Sequence, residues 1–163
     1  MTRLYGWGEK SKRVEDYVPD VRFERSSVIA MLGADGIVAP MTYTGTLNGD
    51  LFRAYVQQVL APILEAGDVV IMDNCSVHKV NGILDPIYEK DAQVQFLPVY
   101  SPDLNPIEMA WSKIKSVLRA LKPRTQEEMQ TAIVTALDAI TKTDAENWFL
   151  HDGYFLSPCC VNV

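Results

Sequence analysis

Apolar residues change their spacing several times along this chain, and each change marks a predicted element. Ser27-Val-Ile-Ala-Met-Leu32 is a short continuous apolar run that suits a buried strand. Gly33-Ala-Asp-Gly36 supplies turn residues, and Ile37 to Tyr43 reads as the returning strand of a hairpin. Asn48 is a plausible helix N-cap. After it Leu51, Phe52, Tyr55, Val56, Val59, Leu60, Ile63 and Leu64 recur at helical spacing until Gly67. Asp68-Val-Val-Ile-Met72 reads as a buried strand that carries Asp73 and Asn74 at its C-terminal end. A weaker helix is expected over Val80 to Glu89, then a strand over Gln93 to Leu97 that Pro98 stops.

Ser101-Pro-Asp-Leu-Asn-Pro106 is rich in turn formers, with Asn105 placed to cap a helix and Pro106 in its first turn. In that helix Ile107, Ala110, Trp111, Ile114, Val117, Leu118 and Leu121 form one apolar stripe, and Pro123 breaks it. Thr125-Gln-Glu-Glu128 has the form of a capping box and opens a helix with Met129, Ile133, Ala136, Leu137 and Ile140 on its apolar face. Thr143-Asp-Ala-Glu146 reads as a second box, opening a short helix that ends near Asp152-Gly153. Residues 1–25 are polar and aperiodic, an irregular arm. Hairpin, helix, strand, helix, strand and helices in that order predict one α/β domain over residues 1–163.

Composition narrows the class. With 48% hydrophobic residues the chain is not a disordered one. No apolar run is long enough to span a bilayer, and the N-terminus lacks the apolar segment of a signal peptide, so a soluble cytoplasmic protein is expected. Three cysteines, Cys75, Cys159 and Cys160, give no disulfide framework, and with two histidines and no CxxC pair a zinc site is not expected. A net charge of −6 argues against nucleic acid as a global partner. Locally the picture reverses: Lys113, Lys115, Arg119, Lys122 and Arg124 lie between Glu108 and Glu127 without an intervening acid.

Two acids stand where chemistry is done. Asp73 ends a buried strand, where α/β folds open their ligand crevice, although strand-end aspartates also serve as plain loop caps. Glu108 lies in a first helical turn, where an acid also stabilises the helix dipole. Lys115, Arg119 and Lys122 follow on nearly the same face, a pattern suited to holding metal against a phosphodiester, or simply to a solvated face.

Taken together, four strings change this balance: Val69-Val-Ile-Met-Asp-Asn-Cys-Ser-Val-His78, Val94-Gln-Phe-Leu-Pro98, Tyr100-Ser-Pro-Asp-Leu-Asn-Pro-Ile-Glu108 and Trp111-Ser-Lys-Ile-Lys115. They resemble the DDE transposases of the mariner-type superfamily and their bacterial insertion-sequence relatives. The 34 residues between Asp73 and Glu108 (positions 74 to 107) match the spacing of that superfamily, and Trp148-Phe-Leu-His-Asp-Gly-Tyr154 resembles its C-terminal tail. The resemblance implies a ribonuclease-H-like mixed sheet flanked by helices. It also implies a three-carboxylate site for two Mg²⁺ (or Mn²⁺) ions, with Asp73 second and Glu108 third. Asn74, His78 and Asn105 are then supporting or DNA-contacting residues, with helix capping the alternative for His78 and Asn105. Implied partners are transposon-end and target DNA, and a homo-oligomer or complementing transposase chain, at the nucleoid.

The first acid of that pattern has no counterpart. Asp16 and Asp20 lie in a polar stretch and Asp35 in the hairpin turn. The expectation is a domain incomplete at its N-terminus, lacking the first central strand, with two sheet edges left unpaired, and inactive as an isolated chain. A non-catalytic remnant that binds DNA or a partner transposase is the alternative. An unrelated phosphoryl-transfer enzyme built on Asp73 is disfavoured by the lack of a Gly-rich phosphate loop.

Overall fold

The computed structural model describes residues 6–15, 24–155 and 160–162, the last of these as backbone. The predicted hairpin is formed by β1 (Ser26–Gly33) and β2 (Gly36–Thr44), paired antiparallel. Gly36 closes its turn at φ 124°, and an added Cβ there would lie 3.2 Å from the Ile140 carbonyl oxygen, so the position needs glycine twice over. The register shifts between Ile29 and Met31, opposite Ala39 at φ 51°. Tyr55 donates its phenol to the Ala39 carbonyl at 3.0 Å and so ties off this bulge.

Asn48 caps α1 (Gly49–Tyr55), its side chain accepting from the Leu51 amide at 2.9 Å. The predicted long helix then changes pitch, first to a π-turn over Val56–Leu60 and then to a 3₁₀ turn over Ala61–Ile63. Pro62 accounts for this: in a straight α-helix its ring would strike the carbonyl of Gln58. The apolar face survives, because Phe52, Tyr55, Val56 and Leu60 are all fully buried. β3 (Val69–Met72) and β4 (Gln93–Phe96) pair in parallel, joined by a 3₁₀ turn at Ser76–Lys79 and the short α2 (Asp85–Tyr88). The expected helix over Val80 to Glu89 is thus cut to four residues, because Gly82 at φ 75° and Pro86 delay its start.

Three helices close the domain: α3 (Ile107–Leu121), α4 (Gln126–Asp138) and α5 (Lys142–His151). Thr125 and Glu128 form the predicted capping box of α4. The box of α5 is displaced from the expected Thr143–Glu146 to Thr141 and Asp144. Asp144 wins because it accepts from the Thr141 amide (2.8 Å) and hydroxyl (2.6 Å) and also from Lys113 (2.6 Å), a set that Glu146 does not gather.

The sheet order is β2-β1-β5-β3-β4, where β5 is Cys160–Asn162. One face, with Ile29, Met31, Val70 and Met72, packs on Phe52, Tyr55 and Ile87; the other, with Leu32, packs on Ile107, Ala110, Ile133 and Phe149. The sheet is mixed and flanked by helices on both faces, as expected. Among the described residues no strand precedes Ser26, and the central position between β1 and β3 is held by β5. The expectation of two bare edges is corrected to that extent. β5 runs antiparallel to β1 at Leu32 and Gly33, and parallel to β3 from Val69 to Ile71. Unpaired buried main chain is costly enough that a segment within reach pairs with it. Among the described residues no helix is long and apolar enough to cross a membrane.

Candidate functional site

β3 ends in three fully or nearly fully buried residues, Val70, Ile71 and Met72, and the next residue, Asp73, emerges into solvent. Buried main chain up to Met72 fixes where the carboxylate starts. Local bonds fix where it points: Asp73 Oδ1 accepts from the Cys75 amide at 3.0 Å and lies 2.9 Å from His78 Nδ1. The 3₁₀ turn at Ser76–Lys79 returns His78 toward Asp73. The imidazole is 13% exposed and leans on the Phe52 ring, with centroids 4.5 Å apart. His78 is thus bonded to Asp73 and packed on Phe52, where sequence reasoning left it between a phosphate contact and a helix cap. Phe52 was assigned only to the core, yet it is the support under His78.

Asn74 turns the other way. Its Nδ2 donates to the Leu97 carbonyl at 2.8 Å and ties the end of β3 to the end of β4. Its Oδ1 is buried with no partner.

Glu108 reaches the same place from α3. Pro106 occupies the N-cap position of this helix, without a side-chain cap bond. Asn105 is therefore not the side-chain cap that was expected. Its carbonyl accepts from the Glu108 amide at 3.0 Å, while its own side chain is buried, 6% exposed, with Oδ1 unpartnered. The loop before it is held by the 3₁₀ turn Pro102–Leu104 and by Tyr154, which donates to the Leu104 carbonyl at 2.8 Å. Burial and the Asp152 charge both push the Tyr154 phenol up, so it remains a donor. Lys113 and Asp144, 2.6 Å apart, fasten α3 to α5 and hold the Asp144 carboxyl down at about 2.

Asp73, Asn105 and Glu108 together line two adjoining hollows. One, about 390 Å³, lies under Leu97 to Pro102; the other, about 190 Å³, reaches back to Ile29 and Ala30 of β1. The structure thus unites five of the candidate residues: Asp73, Glu108 and Asn105 around the hollows, with Asn74 and His78 bonded beside them. It does not bring in the basic stripe. Lys115 and Arg119 are exposed, about two and three turns along α3 from Glu108, roughly 10 and 17 Å at 1.5 Å per residue. Lys115 borders a different, largely apolar hollow of about 580 Å³ with Trp111, Leu118 and Met129. Lys122 ends α3 in a left-handed conformation at φ 49°.

The charged groups at the site are two carboxylates, with the His78 imidazole, Cys75 and Asn105 also lining the hollows. Paired carboxylates suit a hard divalent cation of the Mg²⁺ type. Among the described residues no third His, Cys, Asp or Glu joins them into a metal-holding group.

The family described as DDE superfamily endonuclease matches residues 1–130. No curated protein matches the chain. Two solved structures share its fold: the Mos1 strand transfer complex (14% identity, TM-score 0.65) and the Mos1 transposase paired-end complex with left transposon end (15% identity, TM-score 0.65). The alignments cover 95% and 94% of this chain but 51% and 52% of those chains, so the chain spans about half the length of the structures it resembles. With a matching profile over most of its length and the fold to go with it, the chain belongs to the DDE superfamily endonuclease family.

Proposed function

We propose that this chain is the catalytic-domain portion of a DNA transposase, and that Asp73 and Glu108 are two of the carboxylates that hold its divalent ions against DNA. The observation that carries the reading is the convergence of Asp73, from the end of β3, and Glu108, from the first turn of α3, on the same two hollows. A divalent ion there would supply charge neutralisation for a phosphodiester and a more acidic bound water. The chain's own residues do the positioning. His78 and the Cys75 amide hold Asp73, and Asn74 locks β3 to β4.

The donors fit one ion better than two. Two dications beside a polyanion call for more negative charge than the two carboxylates found there among the described residues provide. The isolated chain is therefore expected to bind DNA and a metal ion but not to cut. Supercoiled plasmid with Mg²⁺ or Mn²⁺ tests this. Uncut plasmid is the expected result. Nicking that disappears in Glu108→Gln would support the site while overturning the inactivity.

The second reading, DNA binding without chemistry, is favoured by Lys115 and Arg119 standing exposed on one helix away from the acids. It predicts duplex binding that weakens steeply with salt and is unchanged by Asp73→Asn.

A further inference from the structure

We infer that Tyr100 is a stacking platform for an unpaired nucleobase beside the phosphodiester that Asp73 and Glu108 receive. β3 and β4 run parallel, so both open at the same edge of the sheet. Asp73 follows the first, and the loop that begins at Pro98 follows the second. Tyr100 lies in that loop and borders the hollow of about 390 Å³ together with Asp73 and Glu108. It is 96% exposed, and Val99 before it is 62% exposed. The ring therefore adds nothing to the core.

The main chain is strained where it holds this ring. Tyr100 has φ 59°, in the left-handed region, where a bulky side chain is unfavourable and glycine or asparagine is the usual residue. A turn that had only to reverse the chain would carry one of those. The loop is also fixed at both ends. Asn74 donates to the Leu97 carbonyl at 2.8 Å, and Tyr154 donates to the Leu104 carbonyl at 2.8 Å. Between these ties Pro98 and Pro102 restrict the backbone further. Exposure, strain and a pinned position on the rim of the hollow thus coincide at one aromatic residue, and a contact outside the chain accounts for all three.

The hollow sets the chemistry of that contact. A phosphodiester held at the two carboxylates through a cation brings its own bases with it. Inside a duplex each base is covered above and below by its neighbours, so only a base out of the stack offers a face to a side chain. Tyr100 presents an uncharged flat ring, and stacking on such a ring is tolerant of base identity. Val99 beside it widens the apolar surface. The contact is made by the ring, so the phenol hydroxyl is dispensable. This inference rests on the reading of Asp73 and Glu108 as the place of the phosphodiester.

The test titrates the intact chain, with Mn²⁺ present, against a short DNA single strand and against an abasic strand of the same length, which keeps the phosphates and lacks the bases. Wild type should prefer the base-carrying strand. In Tyr100→Asn affinity for that strand should fall roughly tenfold, with affinity for the abasic strand unchanged. Tyr100→Phe should bind both strands as wild type does. The thermal transition of Tyr100→Asn should be no lower than that of wild type, because asparagine adopts the left-handed conformation more readily. Equal binding of the two strands by wild type, an equal loss on both in Tyr100→Asn, or a lowered thermal transition in that variant would overturn the inference. So would self-association of wild type in sedimentation that Tyr100→Asn abolishes, which would assign the ring to a second copy. Mn²⁺ binding that stays intact while both strands bind alike would sink the stacking alone. Base preference without Mn²⁺ binding would support the stacking and sink the metal site.

Discussion

Glu108 is only as well placed as α3, and α3 is fastened to α5 through one carboxylate. Asp144→Ala would remove three bonds to Oδ2 at once: from Lys113 Nζ (2.6 Å), from the Thr141 amide (2.8 Å) and from the Thr141 hydroxyl (2.6 Å). Loss of half a capping box costs about 1 kcal/mol. The Lys113 pair is partly solvated, so it adds about 0.5–1 kcal/mol and no more. The sum, about 1.5–2 kcal/mol, corresponds to a melting temperature about 4–7 °C lower for a domain of this size.

The pH dependence supplies a second check. The Lys113 and Thr141 bonds hold the Asp144 carboxyl down at about 2 in the folded chain, against about 3.9 in an unfolded one. A depressed carboxylate contributes stability that is complete above the unfolded value and lost as pH falls through the folded one. Urea titrations of wild type and Asp144→Ala should therefore differ by a constant amount from pH 7 to pH 5, and by less at pH 3. A double-mutant cycle with Lys113→Met should recover the ion-pair share. A loss below ~0.3 kcal/mol at pH 7, or a gap as wide at pH 3 as at pH 7, would refute the reasoning.

Other expectations concern the supports around Asp73. Phe52→Ala should cost about 3–5 kcal/mol, because the ring is fully buried, and should raise His78 ring mobility in NMR relaxation. Asn74→Ala should cost about 1 kcal/mol in urea unfolding and speed amide exchange near Leu97, whose carbonyl it ties down. Burial pushes the Tyr55 phenol well above its ordinary value, so it should stay protonated in alkali while the folded chain persists. Because the unfolded chain loses that proton near pH 10, stability should fall above pH 10, and Tyr55→Phe should lessen the slope.

Most elements were legible because their signals are local. The hairpin, β3, β4, α3 and the α4 box each follow from spacing or capping within a few residues. The errors arose where a bond from elsewhere decided the outcome. Thr141 displaced Thr143 as the α5 cap because Lys113, 31 residues away from Asp144, shares that carboxylate. Asn105 has the right residue type and position for a cap, but burial turned its side chain inward. Asp73 and Glu108 stand out in their strings, and the structure lines the same hollows with both. The His78–Asp73 bond could not be seen there, because it depends on a four-residue 3₁₀ turn and on Phe52 beneath the ring. Helical spacing also placed Lys115 beside Glu108 in projection, whereas along the axis the two lie two turns apart. β5 escaped notice because three residues carry no period.

The account rests on Asp73 and Glu108 acting as one metal site, and a Mn²⁺ titration followed by electron paramagnetic resonance tests that most directly. Both carboxylates are exposed, so Asp73→Asn and Glu108→Gln should leave the thermal transition within ~1 °C of wild type. The prediction is one saturable class of bound Mn²⁺ in the wild-type chain, weakened at least about tenfold by either substitution alone. Mn²⁺ binding that persists unchanged in both variants would contradict the account.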